Sequence, residues 1–150
     1  MLSRRREDKM SELENNATVE ETTEEKKLVK QILIDALETV TDSDTNKPYP
    51  IHLQGSLLPN EPYPESFFTF WNNGSESDEF YSNKEGQIIH YFDLNFYSGK
   101  LASEIEDIFT SAIAALKDAG FIVSGNGFDV PSDESTHTGR GVDLIYIEQI

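Results

Sequence analysis

Cysteine is absent from the chain, which excludes disulfides, thiolate metal sites and cysteine nucleophiles together. Basic residues are scarce: 12 Lys and Arg stand against 28 Asp and Glu, a formal net charge of −16. Binding to phosphate backbones needs clustered Lys and Arg, so this balance argues against nucleic-acid recognition. No stretch approaches the ~20 consecutive apolar residues of a membrane span. The basic start, MLSRRREDKM, has no apolar run behind it and so no export-signal pattern. Histidines number three, His52, His90 and His137, and none falls in a metal-ligand motif such as HExxH.

The charge is shared unequally. Residues 1–40 carry 7 basic and 10 acidic side chains, and residues 41–150 carry 5 and 18. Residues 1–21 are polar and nearly free of large apolar groups, so they are expected to be a flexible charged segment unless a partner holds them. Met10 is a second possible start. Residues 22–150 suit a single domain.

Hydrophobic periodicity predicts a helix from Glu24 to Val40, with Val29, Leu33, Ala36, Leu37 and Val40 on one stripe. Thr22 and Glu25 have capping-box spacing. A short strand is expected at 51–55, and an aromatic one, FFTFWNN, at 67–73. Asn72-Asn73-Gly74-Ser75 reads as a turn leading to a return strand at Glu79-Phe80-Tyr81. A second turn, Asn83-Lys84-Glu85-Gly86, precedes the clearest strand, residues 87–97, which puts Ile88, His90, Phe92, Leu94 and Phe96 on one face. Leu101, Ile105, Ile108, Phe109, Ala112 and Leu116 form a helical stripe ended by Gly120. Strands are expected at 121–125 and near Arg140–Glu148. The predicted fold class is α+β: a mainly antiparallel sheet with two helices packed on one face, in the order α-β-β-β-β-α-β-β.

No catalytic apparatus and no cofactor site emerges. Gly125-Asn126-Gly127 follows a strand, but no helix follows it, so a dinucleotide fingerprint fails. GxxxxGK[ST] and GxSxG are both missing. Asp129, Asp133, Glu134 and His137 cluster, yet lack the glycine and ligand spacing of a calcium loop, and read as a solvated loop. Arg140, the one arginine after Arg6, sits between glycines and suits a carboxylate, of this chain or of a neighbour. The sheet edges and the segment around residues 72–86 are expected to mediate self-association, with Asn73, Gly74, Lys84, Glu85 and Arg140 as interface residues.

The element order, with the phrases PESFFTFWNN (64–73), HYFDLNFYS (90–98), LKDAGF (116–121) and DVPSDESTHTGRGVDLIYIE (129–148), resembles the tail-terminator (tail-completion, head–tail joining) proteins of long-tailed bacteriophages. The resemblance covers roughly residues 25–150 and carries no catalytic motif. It implies a structural virion protein, made in the host cytoplasm. Such a protein forms a ring, commonly of six subunits, that caps the tail tube and joins the head connector. The partners implied are other copies of the chain, the tail tube protein and the connector, with no membrane and no sequence-specific nucleic acid. An acidic lining suits a channel that passes DNA. An acidic regulatory or DNA-mimic protein that binds a basic partner is the alternative reading.

Overall fold

The computed structural model of the chain describes residues 27–53, 62–78 and 86–149. Among these residues two helices, α1 (Val29–Leu37) and α2 (Ala102–Asp118), accompany five strands: β1 (Ile51–Leu53), β2 (Ser66–Asp78), β3 (Gln87–Ser98), β4 (Ile122–Val130) and β5 (Thr138–Gln149). The strands form one sheet in the order β1-β2-β3-β5-β4. Every pairing is antiparallel except β1 with β2. The fold is therefore α+β with a mostly antiparallel sheet.

Side-chain alternation decides which sheet face the helices cover. Cross-strand register aligns Phe68 with Phe96, Phe70 with Leu94, and both Phe92 and Val123 with Leu144. These residues share a core with Val29, Leu33 and Leu37 of α1 and Ile105, Phe109, Ala112 and Leu116 of α2. Ile113 is buried as well, whereas Leu101, at the start of the predicted stripe, is 72% exposed. It occupies the N-cap of α2, where its N–H donates to the Glu104 carboxylate, half of a capping box. The helix closes as its sequence predicts. Gly120 takes φ +105°, its N–H reaches the Lys117 carbonyl, and the Phe121 N–H reaches that of Leu116. That is a Schellman pair, with Phe121 turned into the core.

Several boundaries differ from expectation. The described part of the first helix ends at Leu37, and residues 38–40 turn away from it. Residues 24–26 and the Thr22/Glu25 box lie outside the described residues, as do 1–21, Lys84, Glu85 and the expected strand at 79–81. The largest correction concerns Asn72-Asn73-Gly74-Ser75. It is not a hairpin turn but a β-bulge inside the continuous strand β2. Asn72 pairs with Phe92 and Gly74 with its neighbour Tyr91, so Asn73 is the extra residue. Gly74 takes φ +129°, and its N–H donates to Asn72 Oδ1 at 2.7 Å. The turn chemistry is real, but it bends the strand rather than reversing it. The order over the described residues is accordingly α-β-β-β-α-β-β. A second bulge at 125–127 extends β4 to Val130, where a loop was expected.

Candidate functional site

Arg140 opens β5 on the helix-covered side, aligned with Phe96 on one flank and Asp129 on the other. Its guanidinium lies 5.6 Å above the Phe109 ring. Nη1 donates to Asp129 Oδ1 and Nη2 to the Asn126 carbonyl, each at 3.2 Å. Nε is 2.8 Å from Glu106 Oε2 but out of line for a hydrogen bond, so this contact is an ion pair only. The cation is thus engaged by four partners within its own chain. It borders a cleft of about 440 Å³ with Ile105, Val130, Pro131, Ser132 and His137. His137 makes its own contacts, with Thr136 Oγ1 at 2.9 Å and the Pro64 carbonyl at 2.8 Å. Among the described residues no group of three or more His, Asp or Glu could hold a metal ion, and no helix is long and apolar enough to cross a membrane.

The structure brings together one set of residues that the sequence left scattered. Ser75 Oγ lies 2.9 Å from His90 Nδ1, and His90 Nε2 lies 2.8 Å from Glu148 Oε1. The β2–β3–β5 register aligns all three near one end of the sheet, a placement invisible without the pairing. The hydrogen-bond order is that of a serine–histidine–acid relay. Such a relay acts only where a substrate can seat beside the serine and an oxyanion can be held. The clefts beside α1, Arg140 and Lys100 include neither Ser75 nor His90, and the cleft between α1 and the end of β5 is bordered by Glu148 but by neither of the other two. The trio fastens three strands on the face that carries the core.

Among the described residues, the opposite face carries no helix. Its centre is a row across the sheet, Trp71–Asp93–Asp143–Ser124. Tyr91, Ile145 and Ile122 form the next row, followed by Glu76, Ile89 and Ile147. Trp71 is 46% exposed, Ile122 52%, Phe128 45% and Ile147 39%. Asn73, displaced by the bulge, donates from Nδ2 to Asp93 Oδ1 at 2.7 Å. Tyr91 donates its hydroxyl to Glu76 Oε1 at 3.3 Å. The described strands place no lysine or arginine on this face.

Asp93 and Asp143 stand directly opposite each other, a pairing of like charges that works against the sheet. Burial pushes the Asp93 carboxyl above its ordinary range; the Asn73 hydrogen bond pulls it down, and the Asp143 charge and hydrogen bond push it up again. A carboxyl whose pKa is raised on folding favours the folded state in acid, and that benefit is lost as pH rises through the raised value. Asp93→Asn is therefore expected to exceed the parent in stability by most at neutral pH. The margin should shrink in acid below the raised value, as urea unfolding across a pH series would show. A margin independent of pH would mean that Asp93 titrates as it does in the unfolded chain.

The outer edge of β2 is the other unfilled feature. β1 covers it only at Phe68–Phe70, so Trp71–Asp78 has no strand alongside it among the described residues. Asn73 and Gly74 lie on this edge rather than in a projecting loop. Among the described residues, fold and faces together define an α+β domain with helices on one sheet face, none on the other, and part of the β2 edge without a neighbouring strand. No protein-family model matches the chain, and no curated protein matches it.

Proposed function

We propose that this chain is a structural assembly subunit, a ring-forming cap of a long-tailed phage tail that joins the tube to the head connector. The observation that carries the reading is the β2 edge at Trp71–Asp78, which no strand among the described residues covers, a row of backbone donors and acceptors for which assembly is one remedy. The likeness of the quoted phrases to tail-terminator proteins supplies the ring, its six subunits and its virion setting. The reading assigns no catalytic step and no cofactor. Asn73 and Gly74 belong to the contact as edge residues, and Lys84 and Glu85 as part of the connection between β2 and β3. Arg140, held by Glu106 and Asp129, lies on β5 two strands from that edge, so it can enter a ring contact only through the opposite, β4 side of the sheet.

The test is the solution mass at micromolar concentration, alone and with purified tail tubes. A ring-sized multiple of the chain is expected in at least the second case. Arg140→Ala, measured for folding and for assembly separately, should cost about 1–2 kcal/mol of stability through lost packing on Phe109 and lost ion pairs. The cost is modest because Glu106 and Asp129 remain in contact with water at 53% and 93% side-chain exposure. Normal assembly by a folded Arg140→Ala variant would remove Arg140 from the interface. A strictly monomeric chain that is absent from assembled particles would end the ring reading. The acidic-decoy reading, which the cation-free sheet face favours, would then take its place.

A further inference from the structure

We infer that the sheet face which no described helix covers docks a protein partner whose contact surface sets arginine or lysine among apolar side chains. This inference does not rest on the ring reading and holds equally for a monomer. At one end of this face Phe67 is already buried under Tyr63, Tyr97 and His137, but around the Trp71–Asp93–Asp143 row it has the composition of an interface centre: one tryptophan, one tyrosine, one phenylalanine and several isoleucines, four of these large side chains at least 39% exposed. Scattered exposed apolar residues need no explanation, but here they surround a single polar centre.

Charge decides the occupant. The face carries Glu76, Asp93 and Asp143, and its strands offer no cation in return. A second copy laid face to face would bring six carboxylates together. Nucleic acid and anionic lipid are repelled for the same reason. An arginine-bearing protein surface meets all the features at once. Its guanidinium can bridge the opposed carboxylates of Asp93 and Asp143 and stack on the Trp71 ring, which flanks them in the same row. The Asn73 amide, held on Asp93 Oδ1 by the bulge, fixes one side of that acceptor pair. The like-charge pairing weakens the isolated sheet, as expected of a group kept for a partner rather than for the fold.

Trp71 is the only tryptophan in the chain and lies on this face, so its emission reports directly on what covers it. The probe is a synthetic amphipathic helical peptide with leucine and arginine along one face; its leucine–glutamate counterpart is the control. The arginine peptide is expected to shift Trp71 emission to the blue in a saturable titration that weakens with added salt, while the glutamate peptide leaves it unchanged. Asp93→Asn with Asp143→Asn should weaken binding about tenfold, the scale of two exposed charge contacts. The same variant should unfold at a higher temperature than the parent, a gain that a purely structural role for the pair would reverse. No response to the arginine peptide, equal responses to both peptides, or undiminished binding by the double variant would each overturn the inference. So would a blue shift of the parent on simple concentration, which would mean that a second copy covers the face. A red shift on replacing Arg4, Arg5 and Arg6 by glutamine in the full chain would assign the face to the chain's own arginine run and also overturn it.

Discussion

Phe109→Ala is expected to destabilise the domain by about 3–5 kcal/mol, the range for a fully buried aromatic cut back to a methyl group. Phe109 is 1% exposed and stands among Ile105, Ala112 and the β5 residues of the core. Two further contacts raise the effect above that of a generic core site. The Arg140 guanidinium lies over its ring, and that stacking is lost outright. The ring also fills the space left by Gly127, since a Cβ built there would sit 2.6 Å from Phe109 Cε2. Cutting back the ring opens a cavity beneath the β4 bulge that rigid strands cannot close. Urea unfolding monitored by Trp71 fluorescence measures the loss. A cost near zero would mean that Phe109 is not packed in the core of the isolated chain.

Gly127→Ala should cost about 2–5 kcal/mol, through two independent penalties. The first is conformational: φ is +102°, where an L side chain loses roughly 1–2 kcal/mol. The second is steric. The new methyl group would meet Phe109 Cε2 at 2.6 Å, the Gly141 carbonyl oxygen at 3.0 Å and Arg140 Nη2 at 3.3 Å, and overpacking of this kind costs about 1–3 kcal/mol. Gly125→Ala supplies the control. Its φ is +75°, but nothing lies within 4 Å of its Cβ position, so only the conformational part applies. Equal costs at the two glycines would show that the Phe109–Arg140 layer yields to the methyl group. A Phe109→Ala background should relieve part of the Gly127→Ala penalty, because the closest clashing atom is gone. A double-mutant cycle measures that coupling.

Local pattern carried much of the fold. The α2 stripe and the alternation along 87–97 each need one residue every helical turn or every second position to reach the core, and both are written directly into the chain. Gly120 signals its own role because a positive φ favours glycine. The bulge at Asn73 could not be told from a turn, since both call for Asn-Gly and for φ > 0 at the glycine. What separates them is whether the chain beyond keeps pairing with the same neighbour, and the partner, β3, lies elsewhere in the sequence. Gly125-Asn126-Gly127 was read as the end of a strand for the same reason.

The candidate surfaces were less legible. Arg140 drew notice through scarcity, but its partners Glu106 and Asp129 come from a helix and an adjacent strand. The Ser75–His90–Glu148 hydrogen bonds join residues up to 58 positions apart. Nothing in the spacing of Trp71, Asp93 and Asp143 hints that they form one row.

By itself, the sequence determined the absence of thiol chemistry, the acidic balance, the two amphipathic stripes and the aromatic strand cores, because composition and short-range period are local properties. Tertiary structure alone decided which strands are neighbours, that β1 runs parallel to β2, and that both helices cover one face. It thereby decided that two aspartates, with no lysine or arginine from the described strands beside them, meet on the face that no described helix covers. Pairing partners are chosen by the burial of a whole face at once, and no segment of the chain holds that sum.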